Sequence, residues 1–569
     1  MYCTMNKARY VPSEEVLCRI ADIPEGTVWI TAALMHLNDV ILCRQLPVDT
    51  NTAGLSFTLP NIDYTGYLLC LEAKGSGSES PAICFTGVDC SSDWVRFPRY
   101  GYAWDFTASW NPEEKVGILN RYHINALQFY DWQYRHHQPL APDLSQWRDW
   151  SGRMIDGSVV REYLDQAHNR GISCMAYNMI YAANMTYLHD GSGVDASWRL
   201  VRESGGDFTC DMDASMGNAG ILQYFNPLDP DWQKYIFSKE NDIFDHLPFD
   251  GWHGDTIGEN GPMARADGSP LGYDGDGKPI RLVRDCYRAF LNAAKEAIGD
   301  KYLVFNPVGA QGIEQVYQSN VDVLYAEFWP WDRNADGEPY DTYGSIHKEI
   351  IRAWEHGRHR SLVVAAYVNY RNPFALFNAP AVRLLDSVVF ASGGSRLELG
   401  NGGQMLSDEY FPADHNKRMD PELQATVLRM YDFITAYENI LRDGQQPVCR
   451  RVLVDGYEVS ADGGADTVWC FAKADAGHEI YHFINLAGTD SEWRDVQQTK
   501  RMPTLLHDLK VRLYTDFDAR SVSLTSPDGH DIRLRELACK TDTDAEGRYI
   551  SFEIPSLAYW DMILLRQGA

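Results

Sequence analysis

Over residues 1–95, short apolar and β-branched runs recur about every ten positions, at 27–31, 39–43, 55–59 and 66–70, with turn residues between them. That rhythm predicts a small antiparallel β-sandwich of immunoglobulin-like kind. Residues 74–81, Lys-Gly-Ser-Gly-Ser-Glu-Ser-Pro, read as a loop. From 96 to 444 apolar runs alternate with amphipathic stretches. Eight of these runs predict strands: 100–106, 124–130, 173–179, 251–257, 302–308, 323–329, 362–368 and 387–394.

Helix signals fall between them. Asn111-Pro112-Glu113-Glu114 carries a cap, an early proline and acids in the first turn. Helical stretches at 162–170, 284–298 and 346–355 each end at or near a glycine, as does a closing helix at 421–441. Strand and helix in alternation predict an α/β fold, a (β/α)8 barrel with insertions. The connections at 182–248 and 258–283 exceed ordinary crossovers and are expected to overhang the site. Residues 445–569 return to β, with strands predicted at 467–471, 479–484, 511–514, 549–554 and 560–565. The expected domains are 1–95, an immunoglobulin-like β-sandwich; 96–444, the barrel; and 445–569, a second β-sandwich.

A length of 569 residues exceeds one hydrophobic core, in keeping with several domains. The formal net charge of −28 argues against nucleic acid or an anionic membrane as partner and suits a neutral or a cationic ligand. Twelve scattered cysteines include no C-x-x-C pair, so neither a zinc site nor a thioredoxin-type centre is expected. Unpaired-looking thiols and an N-terminus without an apolar signal core point to the cytoplasm. Nothing in the sequence sets an oligomeric state.

The chemistry gathers at strand ends. FDGWHGDTIG (249–258) puts Asp255 where the fourth predicted strand meets its loop, the end at which such folds carry catalytic groups. An Asp there also suits capping of the next turn. VLYAEFWPW (323–331) ends the sixth strand in Glu327 among aromatics, a poorly solvated position that should raise its pKa. A buried Glu paired with an Arg fits the same residues. One protonated and one ionised carboxyl make the pair used in glycoside cleavage. Polar and aromatic residues at the other strand ends are expected to bind a sugar: Tyr130, Asp131, His136, Asn178, Trp252, His253, Asn306, Trp329, Tyr370 and Glu398.

FDGWHGDTIG and VLYAEFW, with SSDW…FPRYG (91–101), INALQFYDWQYRHHQPL (124–140) and MAYNMIYAA (175–183), resemble glycoside hydrolase family sixty-six, the dextranases and cyclodextran-forming glucanotransferases. The resemblance runs from about 90 to 400 and implies that Asp255 is the nucleophile and Glu327 the acid/base of a retaining enzyme. It implies α-1,6-glucan, as polymer or oligosaccharide, as the substrate, and no cofactor. Cyclising relatives carry a large insertion within the barrel, whereas 400–444 here leads straight to the closing helix, which favours hydrolysis over cyclisation. A non-catalytic glucan-binding barrel is the reading from another class.

Three further motifs fail on their own chemistry. Asp332-Arg-Asn334-Ala-Asp336-Gly337 resembles the start of a calcium loop, but Tyr343 stands at its twelfth position, and no metal site is expected. His136-His137 lacks the spacing of metal ligands. Gly272 to Lys278 has phosphate-loop spacing, but Pro279 replaces the hydroxyl residue and two aspartates would repel phosphate.

Overall fold

The structure, a computed structural model, describes residues 1–48, 50–75, 81–109, 111–258, 260–334, 337–370, 374–401, 404–406 and 418–567. Near the N-terminus a three-stranded sheet (Tyr2–Met5, Glu15–Ala21, Thr52–Thr58) and a four-stranded sheet (Asp39–Pro47, Thr27–His36, Thr65–Gly75, Ala82–Cys90) share one apolar core. Burial along Glu15–Ala21 alternates with period two, so Val16, Cys18 and Ile20 face inward. All four runs predicted there fall on strands, while residues 76–80 of the expected loop lie outside the described residues.

Eight parallel strands follow, numbered here β1 (Tyr100–Ala103), β2 (Ala126–Phe129), β3 (Ser173–Met179), β4 (Gly251–Asp255), β5 (Tyr302–Phe305), β6 (Leu324–Phe328), β7 (Leu362–Ala366) and β8 (Ser395–Arg396). β1 to β5 form one sheet and β6 to β8 another, with a parallel bridge between Val304 and Val323 where the two adjoin. A helix comes after each strand: α1 (Pro112–Arg121), α2 (Gly157–His168), α3 (Pro230–His246), α4 (Tyr287–Ile298), α5 (Ile313–Tyr317), α6 (Tyr343–His356), α7 (Ala379–Ser392) and α8 (Pro421–Ala436). Strand residues are buried on both faces, as expected of parallel strands under a helical layer.

One predicted strand is wrong. Residues 387–394 belong mostly to α7, which starts near Pro380 and ends at Gly393 with φ of 95°. Every residue from Leu384 to Ser392 is buried. A helix apolar on all sides has no 3.6-residue stripe, so its sequence cannot be told from a buried strand. The eighth strand is the two-residue Ser395–Arg396 instead.

Both long connections are built. The first folds Ala182–Asn184, Ile221–Tyr224 and Thr209–Asp211 into an antiparallel sheet. The second contributes Met263–Arg265, which pairs with Leu200–Arg202 of the first. The C-terminal part holds a seven-stranded and a four-stranded sheet around a third apolar core, and all five strands predicted there are present.

Arg99 ties the N-terminal part to the strands and helices that follow it. Its guanidinium donates to Glu438 at 2.9 Å, to Asp89 and to the His123 carbonyl at 2.6 Å, with all three charged side chains fully buried. Replacing Arg99 with Met strands two carboxylates away from water, an expected loss of ~3–5 kcal/mol. The denaturation midpoint of Arg99→Met should fall well below that of the parent protein; equal midpoints contradict this role.

Candidate active site

Alternation along the strands selects what reaches the carboxyl ends of β3, β4, β6 and β7. Tyr177 and Met179, His253 and Asp255, Tyr325 and Glu327 are in-phase pairs, and register places Met179 beside Asp255. At this end lies a cavity of about 330 Å³, lined by Asp255 and Glu327 with Tyr130, Asp131, His136, Trp150, Tyr177, Trp329 and Tyr367 among others.

Asp255 accepts from the Tyr177 hydroxyl at 2.6 Å, the Thr256 N–H at 2.8 Å and Asn306 Nδ2 at 3.0 Å. Glu327 accepts from the Tyr367 hydroxyl and from the same Asn306 Nδ2 at 3.2 Å. Bonds of 3.0 and 3.2 Å from one nitrogen keep the two acceptor oxygens within 6.2 Å of each other. Burial pushes Asp255 up to about 8; the neighbouring Glu327 adds to this, and the three donors oppose it.

Of the ten expected sugar-binding residues, Tyr130, Asp131, His136 and Trp329 line the cavity, and Asn306 bridges the carboxyls. Asp131, at φ 52°, is pushed up to about 6 by burial, with Arg153 at 3.2 Å opposing. His136 is held down to about 3, chiefly by burial, and its Nδ1 accepts from the Met179 N–H at 3.1 Å. The neutral ring therefore carries its proton on Nε2. Tyr370 packs edge-on against Trp329 at the rim, 5.3 Å between centroids.

Four expectations are corrected. Asn178 and Trp252 are out of phase with the cavity-facing positions. Asn178 donates to Glu240 on α3 at 2.7 Å and accepts from the Trp252 indole, which packs on Phe237 and Phe290. His253 is in phase but one layer deeper, bonded to the Tyr100 hydroxyl at 2.9 Å and stacked on that ring. Glu398 pairs with Arg396 at 3.0 Å and accepts from Tyr431 at 3.0 Å, away from the cavity.

Sequence reasoning missed Tyr177 and Tyr367, which donate to the two carboxyls, and Asp211 and Met212, which reach the cavity from the first insertion. The tyrosines carried a readable signal: Tyr177 lies in phase with Met179, and Tyr367 follows directly on β7. Asp336 of the calcium-like stretch lies outside the described residues; Asp332 there accepts from the Trp329 N–H at 2.7 Å. Among the described residues one set of possible metal ligands, His168, Cys174 and Asp250, sits at the opposite, amino-terminal ends of β3 and β4.

A sequence model described as glycosyl hydrolase family 66 matches residues 5–564. A cycloisomaltooligosaccharide glucanotransferase of Niallia circulans is 27% identical, with 99% of this chain covering 71% of that protein. A dextranase of Streptococcus salivarius is also 27% identical, over 95% of this chain and 73% of its own length. The crystal structure of a Paenibacillus sp. cycloisomaltooligosaccharide glucanotransferase complexed with cycloisomaltoheptaose superposes with a TM-score of 0.87, 25% identity and 99% coverage of each chain.

The raised Asp255 makes stability depend on pH. Its folded pKa of about 8 exceeds the unfolded ~3.9, so the folded state is weakened progressively as pH climbs between them. Asp255→Asn removes that penalty. Its melting temperature should exceed the parent's by several degrees at pH 8.5 and match it near pH 3.5; a gain independent of pH contradicts the titration.

Proposed function

The chain belongs to glycosyl hydrolase family 66, and on that premise we propose that it is a retaining hydrolase of α-1,6-glucan, dextran or isomalto-oligosaccharides, with Asp255 as nucleophile and Glu327 as acid/base. The observation that carries the reading is the pair of carboxyls held within 6.2 Å by one amide at the floor of an aromatic cavity. That upper bound falls below the ~6.5–9.5 Å of inverting pairs, which supports a retaining one.

Two buried carboxyls this close share one proton through neutral pH. That proton moves between them, and in the reacting form Asp255, with its three donors, carries the negative charge while Glu327 carries the proton. An Asp255 oxygen attacks the anomeric carbon, the glycosidic C–O bond breaks, and Glu327 passes its proton to the departing oxygen. With Asp255 esterified, its repulsion of Glu327 is gone. Glu327 then takes a proton from water as the water oxygen attacks the same carbon, and Asp255 leaves as carboxylate. Tyr177, Asn306 and Tyr367 hold both groups in place throughout.

Opening of the glucosyl ester by a sugar hydroxyl, giving cyclic products, is the second reading. It is favoured by the 0.87 TM-score to a glucanotransferase over 99% of both chains. Residues 402–403 and 407–417 of the 400–444 stretch, where the expected lack of an insertion favours hydrolysis, lie outside the described residues. We further infer that β1 to β8 close as a (β/α)8 barrel spanning 96–444, between domains at 1–95 and 445–569. The parallel order of the two sheets and the Val304–Val323 bridge support closure on one side. On the other, a Cβ on Gly101 of β1 would stand 2.8 Å from the Leu399 carbonyl beyond β8.

Purified protein incubated with dextran should yield linear isomalto-oligosaccharides on chromatography. Cyclic products would establish the second reading, and untouched dextran and isomalto-oligosaccharides would contradict both. Asp255→Asn and Glu327→Gln should each lower kcat by ~10²–10⁴. In the parent enzyme kcat/KM should fall as pH rises through about 8, where the pair loses its last proton.

A further inference from the structure

Trp331 is 60% exposed, yet its surroundings hold it firmly. Its ring stacks on Trp329, 5.5 Å between centroids and 23° between planes, and Tyr370 meets both rings edge-on at 5.1 and 5.3 Å. Trp329 in turn lies 4.4 Å from Tyr367, whose hydroxyl donates to Glu327. The loop beneath them is braced: the Asp332 carboxylate accepts from the Trp329 N–H at 2.7 Å, the Asp332 N–H donates to the Trp329 carbonyl at 3.1 Å, and Arg494 donates to the Pro330 carbonyl. A row of rings therefore begins at the acid/base and ends in solvent.

Exposed, rigidly supported indole is surface that water wets poorly and that a flat, apolar face of a sugar ring covers well. The cavity around the carboxyls, about 330 Å³, takes a short segment of an oligosaccharide, so the rest of a longer one lies outside it. The row leaves the cavity on the Glu327 side, where the departing oxygen takes its proton. Tyr130, Asp131 and His136 belong instead to the loop after β2.

We propose that Trp331 forms an outer subsite on the leaving-group side, stacking on a glucosyl residue of the α-1,6-glucan two or more units from the cleaved bond. The subsite rests on the substrate read under Proposed function. It makes Trp331 a determinant of chain length and of acceptor capture, not a catalytic residue.

Trp331→Ala is compared with the parent on isomaltotriose and isomaltoheptaose. Loss of the stack should lower kcat/KM for the heptaose by about tenfold, the triose changing less than ~twofold, and Trp331→Phe should restore most of the difference. An equal loss at both lengths, or none at either, overturns the subsite while leaving the reaction intact. If the parent cleaves neither sugar, the reading of the reaction fails first. The subsite is then decided by calorimetric titration of isomaltoheptaose into Asp255→Asn with and without Trp331→Ala. About tenfold weaker binding with Trp331→Ala supports it; equal affinity, or no binding to either protein, overturns it.

Discussion

The arrangement depends on keeping two carboxyl groups out of water within reach of a single amide. Each group alone loses hydration on burial, and together they repel. Asn306 answers both problems with one nitrogen, and Tyr177, Tyr367 and the Thr256 N–H supply the remaining donors. The donors come from β3, from the residues just past β5 and β7, and from the start of the loop after β4, so no local segment could assemble the pair. Parallel register does so by bringing the carboxyl ends of those strands level. The buried Arg99 network braces the N-terminal part against the same frame.

Much of this is legible in the sequence. The two carboxyls announce themselves because each closes an apolar run and is followed by a polar or aromatic turn. Seven of the eight parallel strands show as apolar runs, since sheets covered on both faces need continuous hydrophobic stretches. The eighth was lost to α7, whose burial on every side erased its period. Among binding residues, the misses follow phase and depth. Asn178 and Trp252 are polar or aromatic residues at the end of the correct strands, but they face Glu240 and the helices. His253 faces inward yet sits too deep. Composition at a strand end identifies the neighbourhood; only phase identifies the face.

Other parts carried no such signal. Asp211 and Met212 reach the cavity from an antiparallel insertion whose path over the strand ends depends on its pairing with the second insertion, a contact between distant segments. Glu398 looks like a site residue until its partners Arg396 and Tyr431 are in view. The bond between Asn306 and both carboxyls is likewise a property of three strands, and it turns a residue first read as a sugar ligand into the support of the catalytic pair.

The separation of those carboxyls makes a stereochemical claim, and the most direct test is to follow the anomeric proton signals by NMR during the first minutes of cleavage of an α-1,6-linked oligosaccharide. A double displacement through Asp255 predicts that the α-anomer of the new reducing end appears first and the β-anomer grows in only by mutarotation. The β-anomer appearing first would mean single displacement by water, and would contradict the account of Asp255 as nucleophile.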